Sequence, residues 1–239
     1  MKMNTRMRAG FTLVELLVVI VIIAALAGLT APMVIRQRKK ADQTEAVSNA
    51  RQVGLAMFEF ETEYGSYPDP SLGATINTNI GGTLVAPTTI TTSNDAFTQL
   101  IASGIAASEQ MFYCKTLYST QKPDNVYTLA ADTLKKGDVG FGYIMNTGSK
   151  AFSSAGNSGR VLIAAPLKYT AGAFVAGQFD KDAYDSKAIV LKYDNSASSI
   201  AINQAGEAVL GGAKKLLDSG ADTVWGAGIT PTMTNPLPK

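Results

Sequence analysis

The chain has 239 residues, of which 46% are hydrophobic and 17% are charged, a composition that excludes a disordered chain and a polytopic membrane protein. Its formal net charge is +2, and taking the three basic residues of segment 1–10 from the 21 in the chain leaves 18 against 19 acidic residues. This balance predicts no basic face for nucleic acid. Cys114 is the single cysteine, so an intramolecular disulfide is impossible, and we expect a buried small apolar residue there.

The amino-terminal segment places one carboxylate at the edge of an apolar stretch long enough to cross a membrane. Gly10, Phe11, Thr12 and Glu15 are followed by residues 16–35, which include no charged side chain. About 20 apolar residues in a helix span the hydrocarbon core of a bilayer. Because an ionisable group there costs roughly 2.5–3.5 kcal/mol when unpaired, we expect Glu15 to have a specific partner.

This spacing resembles the class III signal of type IV prepilins and type II secretion pseudopilins. The resemblance implies that a prepilin peptidase cuts between Gly10 and Phe11 and methylates the new amino terminus, so that residues 1–10 are a leader peptide. It also implies that Glu15 and Thr12 are assembly residues, with Glu15 facing the amino terminus of a neighbouring subunit. A poorly solvated carboxylate and a poorly solvated amine would offset the burial of each other.

Two other interpretations of the segment remain open. It can be a plain amino-terminal anchor, or a secretory signal with Ala25-Leu26-Ala27 before a cut at Gly28. An anchor alone leaves Glu15 unexplained. The secretory interpretation is weakened because the apolar run continues to residue 35, past the cut.

The charges that flank the apolar stretch predict its orientation. Lys2, Arg6 and Arg8 precede it, and the positive-inside rule keeps such a segment in the cytoplasm. We therefore expect a single-pass protein of the bacterial inner membrane, with its carboxy-terminal part periplasmic, or extracellular in a filament. Four basic residues that follow the span are expected to reach lipid phosphate groups: Arg36, Arg38, Lys39 and Lys40.

Beyond the span, apolar residues recur at alternating intervals of four and three, which draws a stripe along one helix face. These residues are Ala46, Ala50, Val53, Met57, Phe60 and Tyr64. The pattern predicts one helix over residues 11–64, with a transmembrane or filament-core part over 11–35 and an amphipathic continuation over 36–64. A kink is expected at Gly28 and Pro32, because the proline has no N–H to donate to the Gly28 carbonyl.

The helix should end at Gly65-Ser66-Tyr67-Pro68, a turn that resembles the one after the long helix of major pseudopilins. A loop over 71–94 and a short helix over 95–103, capped by Ser93 or Asn94, are expected next. The strands predicted after them are 126–130, 139–145, 161–165, 188–193, 199–202 and 208–210, with hairpin connections at 194–196 and 204–206. The predicted fold is α+β and pilin-like: a long amino-terminal helix, transmembrane in its first half, packed against an antiparallel sheet in a head formed by residues 65–239.

A calcium site is the one cofactor that the sequence suggests, and it does so weakly. Asp180, Asp182 and Asp185 place three carboxylates within six residues, but the run lacks the spacing of a calcium loop. Major pseudopilins often hold calcium in carboxy-terminal loops, yet Asp218 and Asp222 cannot be mapped onto that site. The expected assignment is no cofactor.

Catalysis is not expected, because the chain contains no histidine and no phosphate-binding G-x-x-x-x-G-K-[ST] loop. The resemblance implies a structural subunit of a type II secretion pseudopilus, which supports protein export. Its partners would be the prepilin peptidase, other pilin or pseudopilin subunits, an inner-membrane assembly platform and membrane lipid. The alternatives are a type IV pilus subunit for adhesion or motility, and a membrane-tethered or secreted binding module.

Overall fold

The computed structural model describes residues 11–81, 84–128, 133–147, 150–212 and 214–239. The chain divides into two compact units, Met1–Lys39 and Lys40–Lys239. We call the second the head unit. The first helix, α1, is Leu13–Tyr64 and contributes residues to both units, which confirms the long helix predicted over 11–64.

In the head unit, α1 buries the predicted apolar stripe. Ala46, Ala50, Val53, Met57 and Phe60 are all fully buried in the head core. At Gly54 an added Cβ would lie 2.0 Å from Asn195 Oδ1 and 3.0 Å from Leu191 Cδ1. The sequence therefore combines a helical apolar period with a glycine where the helix packs closely against residues distant in the chain.

Two short helices follow α1, and one of them was not expected. A 3-10 turn, Pro70–Leu72, leads into α2, Gly73–Ile80, so the prediction of a loop over 71–94 was wrong for this part. Helix α2 buries Ile76, and the side chain of Asn77 pairs with both the N–H and the carbonyl of Ala86. These tertiary contacts outweigh the low helix propensity of glycine, threonine and asparagine.

The predicted helix at 95–103 is present as α3, Ser93–Ala102, but its cap differs from the expectation. The N-cap is Thr92, not Ser93 or Asn94: its side chain accepts a hydrogen bond from the Asp95 N–H, and Asp95 accepts one from the Thr92 N–H. Ser93 and Asn94 are instead buried and bind the carbonyls of Phe141 and Leu134. A second 3-10 turn, Glu109–Phe112, follows.

The sheet is antiparallel throughout, with seven strands in the order β8-β7-β6-β5-β2-β1-β9. A separate two-stranded ribbon is formed by β3 and β4. The strands are β1 Gly142–Asn146, β2 Val161–Ala165, β3 Leu167–Thr170, β4 Ala173–Phe179, β5 Lys187–Lys192, β6 Ala197–Ile202, β7 Ala208–Gly211, β8 Lys214–Lys215 and β9 Pro231–Thr234. Strands β5, β6 and β7 form the predicted meander, with connections at the two predicted turns.

Five of the six predicted strands are present, and one prediction was wrong. Residues 126–128 form no strand, and residues 129–130 lie outside the described part of the chain. Strand β1 covers only the second half of the expected 139–145, because Gly140 packs against Cys114 and donates its N–H to the Phe112 carbonyl before the strand begins. Strands β3, β4, β8 and β9 were not predicted.

The core of the head is rich in aromatic side chains that also hold polar contacts. Trp225 is fully buried and donates from Nε1 to the Leu216 carbonyl at 2.8 Å. The Tyr118 hydroxyl donates to the Gly140 carbonyl at 2.7 Å and accepts from the Leu167 N–H at 3.0 Å. Cys114 is buried as predicted, and burial raises the pKa of its thiol well above the ordinary value.

Candidate processing and assembly site

The amino end of α1 is closed by a reciprocal pair of residues. Thr12 precedes the helix, and its Oγ1 accepts a hydrogen bond from the Glu15 N–H at 3.2 Å. Glu15 Oε2 in turn accepts from the Thr12 N–H at 2.9 Å and from Thr12 Oγ1 at 2.8 Å. This is a capping box, which satisfies two N–H groups that a helix start would otherwise leave unpaired.

The capping box determines where the Glu15 carboxylate lies. Because Oε2 is held by Thr12, the carboxylate lies at the amino end of the helix, beside the residue that follows Phe11. Both side chains are exposed in the single chain. A carboxylate in this position can accept hydrogen bonds from a cationic amine that approaches the helix end.

Residues 11–35 present an apolar surface around the whole helix. Their large hydrophobic side chains are 48–86% exposed: Phe11, Leu13, Val14, Leu16, Leu17, Val18, Val19, Ile20, Val21, Ile22, Ile23, Leu26, Leu29, Met33, Val34 and Ile35. Among the described residues, α1 is the one helix long and apolar enough to cross a membrane. A surface of this kind is stable in lipid or against other apolar helices.

The positions expected to bend this helix are helical in the structure. Gly28 and Pro32 both lie within α1, and Thr30 Oγ1 donates to the carbonyl of Leu26 at 3.0 Å. An added Cβ at Gly28 would meet no atom within 4 Å. The kink at Gly28 and Pro32 stays a prediction. Gly10, the residue before the predicted cut, lies outside the described residues.

The structure does not bring the calcium candidates together as a ligand set within the described ranges. Asp180 Oδ1 accepts a hydrogen bond from the Asp182 N–H at 2.8 Å, as in a local turn, and Asp185 has a positive φ of 52°. Asp218 accepts from the Lys215 N–H, and Asp222 pairs with the Lys214 ammonium. No group of three or more His, Cys, Asp or Glu side chains within the described ranges could hold a metal ion.

One buried carboxyl of the head was not singled out from the sequence. Glu109 is fully buried, and its Oε1 accepts a hydrogen bond from the Leu134 N–H at 2.8 Å. Its Oε2 is buried and has no hydrogen-bond partner among the described residues. Burial raises the pKa of Glu109 above its ordinary value, against the opposing effect of the Leu134 hydrogen bond. Glu109 belongs to no recognised sequence motif, so the sequence alone could not identify it as a buried carboxyl.

Comparison with known proteins finds a family match at the amino end of the chain and relatives among secretion proteins. Residues 5–31 match the family described as the prokaryotic N-terminal methylation motif. The type II secretion system core protein G of Aeromonas hydrophila is 38% identical over 71 residues, which are 30% of this chain and 50% of that protein. The protein of the same name from Escherichia coli K12 is 38% identical over 69 residues, 29% of this chain and 48% of that protein.

A pilus protein also matches, over a longer region. The fimbrial protein of Neisseria meningitidis serogroup A is 28% identical over 139 residues, which are 57% of this chain and 80% of that protein. The matches to the secretion proteins, by contrast, span about half the length of those relatives. No solved structure matches the chain significantly.

Proposed function

We propose that this chain, a pilin-like protein, is a structural subunit of a type II secretion pseudopilus. The observation that carries the proposal is the methylation motif over residues 5–31, which runs into a capped helix whose apolar surface is exposed all round. Proteins named as type II secretion system core protein G are 38% identical to this chain over about 70 residues. The role is to form part of a filament that supports protein export.

In this proposal residues 1–10 are a leader that prepilin peptidase removes by cutting between Gly10 and Phe11. Phe11 then becomes the methylated amino terminus. After the cut, its amine lies one residue before Thr12, beside a carboxylate that the capping box already holds at the helix end. Residues 11–35 form the membrane and filament-core helix, residues 36–64 continue it, and residues 65–239 complete the head.

Glu15 and Thr12 act in assembly. As subunits leave the bilayer, the Glu15 carboxylate accepts the amine of a neighbouring Phe11, and the two charges compensate each other in a poorly solvated environment. The exposed side chains of residues 13–35 then pack against other helices instead of lipid.

We infer that the chain is a single-pass protein of the inner membrane, with its amino terminus in the cytoplasm and its head outside. Its partners are prepilin peptidase, other pilin or pseudopilin subunits, the inner-membrane assembly platform and lipid. The role is structural, not catalytic, in keeping with relatives that are named as secretion and fimbrial proteins. No cofactor is part of the proposal.

A type IV pilus subunit is the second candidate. The match to a fimbrial protein over 80% of that protein's length favours it, although the identity of 28% is lower than that of the secretion proteins. A tethered or secreted binding module is less favoured, because the methylation motif and the Glu15 cap would have no role in it.

Deletion of the gene in the source bacterium separates these functions. A pseudopilus subunit predicts that exported proteins accumulate in the periplasm while surface filaments remain. Loss of surface filaments with intact export would instead establish the pilus function. Normal export together with normal surface filaments would contradict both.

A further inference from the structure

The head unit contains a groove beside α3 that the proposed function does not use. Its volume is about 460 Å³. Apolar side chains from three separate segments of the chain line it: Val85, Pro87, Leu134 and Leu237. A concave site of roughly 300–1,000 Å³ with an apolar wall and a few polar groups is typical of small-ligand binding. We call this site the α3 groove.

A buried asparagine joins two walls of the α3 groove. Asn94 is 3% exposed, and its Nδ2 donates to the Leu134 carbonyl at 2.7 Å. Its Oδ1 accepts from the Leu237 N–H at 2.8 Å. Because one side chain of α3 holds both walls by hydrogen bonds, the groove is formed before any ligand binds.

One buried side chain in the wall of the groove has a hydroxyl without a protein partner. Thr98 is 6% exposed and lines the groove, and its hydroxyl makes no hydrogen bond within the described part of the chain. Three other helical threonines bond the carbonyl four residues before them: Thr44, Thr62 and Thr78. Buried polar groups are usually hydrogen-bonded, so the Thr98 hydroxyl is available to a ligand in the groove.

The groove also carries one cation that is not paired. Lys136 lines the groove and is exposed, and among the described residues its ammonium makes no ion pair or hydrogen bond. The neighbouring Lys135 is bound to Asp124 instead. Asp95 lines the groove as well, but its Oδ2 is occupied by the N–H and hydroxyl groups of Thr91 and Thr92. The groove is therefore complementary to a negative group.

We propose that the α3 groove binds a small organic carboxylate. Its apolar body lies against Leu134 and Leu237, its carboxylate pairs with the Lys136 ammonium, and one of its oxygens forms a hydrogen bond with the Thr98 hydroxyl. The volume of the groove suits a molecule of this size, and one unpaired lysine suits a single negative charge. This binding function of the head goes beyond the filament role and does not depend on it.

Titration calorimetry of the full-length chain in detergent tests the site. The probe is phenylbutyrate, and phenylbutanol is its neutral match with the same apolar body. We expect saturable binding of the acid, with an affinity at least about threefold higher than that of the alcohol. Partition of either probe into micelles is the same for every variant, so the comparison between variants isolates the groove.

Three variants test the two polar contacts. Lys136→Gln should weaken binding of the acid about threefold and leave binding of the alcohol unchanged. Lys187→Gln is the matched control, since this lysine is exposed on β5 and does not line the groove. Thr98→Val keeps the shape of the side chain and should weaken binding of the acid about threefold, because only the hydroxyl is lost.

A fourth variant fills the groove. Val85→Trp should abolish binding of both probes without changing the thermal unfolding of the head, because Val85 is 56% exposed. Heats that are the same for the wild-type, Val85→Trp and Lys136→Gln chains would overturn the site, since the probe would then bind elsewhere. No saturable binding of the acid would overturn it as well. Binding of a peptide that ends in an apolar residue, without binding of the acid, would overturn the small carboxylate in favour of a peptide.

The outcomes separate this inference from the proposed function. The titrations need neither processing nor assembly of the chain, so failure of the probe to bind would leave the filament function standing. A chain that binds the probe at Lys136 but forms no filament in the source bacterium would support the groove and contradict the filament function.

Discussion

Thr12 and Glu15 close the amino end of α1 through three hydrogen bonds, in which one carboxylate oxygen serves both the N–H and the hydroxyl of the threonine. The glutamate therefore has a local role in the isolated chain as well as the proposed role between subunits. This local role keeps the carboxylate at the helix end before a partner arrives. Because these bonds use Oε2 alone, Oε1 can accept an amine from a neighbouring chain while the cap stays closed.

Replacement of Glu15 should separate processing from assembly. Glu15→Ala or Glu15→Leu is expected to leave membrane insertion and cleavage largely intact, because neither needs a partner for the carboxylate. Filament yield should fall at least about tenfold, which corresponds to roughly 1.4 kcal/mol of lost subunit association. The measurement is the amount of sheared filament relative to membrane-bound processed subunit.

Thr12→Ser is the matched control for this change, since it retains the hydroxyl of the capping box and should retain assembly. A Glu15→Leu chain that is uncleaved but still forms filaments would contradict the assigned role.

Substitution of Gly10 should block processing. A bulky residue such as valine or phenylalanine is expected to prevent the cut before Phe11, because only a small residue lets the peptidase approach that peptide bond closely. The chain should stay in the membrane at its full mass, as seen by mass spectrometry of membrane extracts. Cleavage of Gly10→Phe at the wild-type rate would refute the assigned cut.

A glycine in the head should be far less tolerant than one in the apolar helix. At Gly140 an added Cβ would lie 2.4 Å from the Cys114 carbonyl oxygen and 2.4 Å from its Sγ, so backbone must move. Gly140→Ala is expected to lower the free energy of unfolding by about 1–3 kcal/mol. Trp225, the one tryptophan of the chain, reports head unfolding by fluorescence in detergent.

Gly28→Ala is the control for that experiment, because its Cβ would meet no atom within 4 Å. Head unfolding should be unchanged in this variant. Equal stability of the Gly140→Ala and Gly28→Ala chains would show that the contact with Cys114 is looser than the structure has it.

The buried carboxyl of Glu109 should make head stability depend on pH. Burial raises its pKa in the folded chain, so the folded state binds a proton that the unfolded state releases above about pH 4. The free energy of unfolding contributed by this group therefore falls as pH rises from about 4 through the raised pKa of the folded state. Glu109→Gln should make the free energy of unfolding depend less on pH in this range.

Glu207 provides a comparison of opposite sign. Hydrogen bonds from Asn203 and Lys215 lower its pKa, so its contribution is present above its unfolded pKa and is lost as pH falls through the folded one. Glu207→Gln should remove the decrease in the free energy of unfolding that Glu207 causes as pH falls through its folded-state pKa. If Glu109→Gln and Glu207→Gln change the pH dependence of the free energy of unfolding in the same direction, the pKa of Glu109 is not raised.

The long helix and the central strands could be predicted from local pattern alone. Residues 13–64 have an apolar run followed by a helical period, and β2 and β5 are runs of valine, isoleucine and leucine bounded by polar turns. Strand β9 has four residues and begins with Pro231, so its local pattern is too short to predict a strand, and it is formed through its pairing with β1. Helix α2 likewise depends on contacts with residues distant in sequence.

The candidate site was predictable to a similar degree. The motif around Gly10 and Glu15 could be recognised in the sequence. The capping box was missed there, although Thr12-x-x-Glu15 is its usual signature. The turn at Asp180 is local, since its partner is the N–H of Asp182, but the sequence analysis did not single it out. The pairing of Asp222 with Lys214 could not be predicted, because it depends on how the fold brings the two side chains together. The same holds for the burial of Glu109 against Leu134.

Intact mass and amino-terminal sequencing of the protein from its native membrane examine the proposed pathway at its first step. The filament function predicts a chain that begins at N-methylated Phe11. A chain that begins at Gly28 would be a released protein without the apolar helix, and one that still begins at Met1 would be an unprocessed anchor. Either of these would contradict the assignment as a pseudopilus subunit.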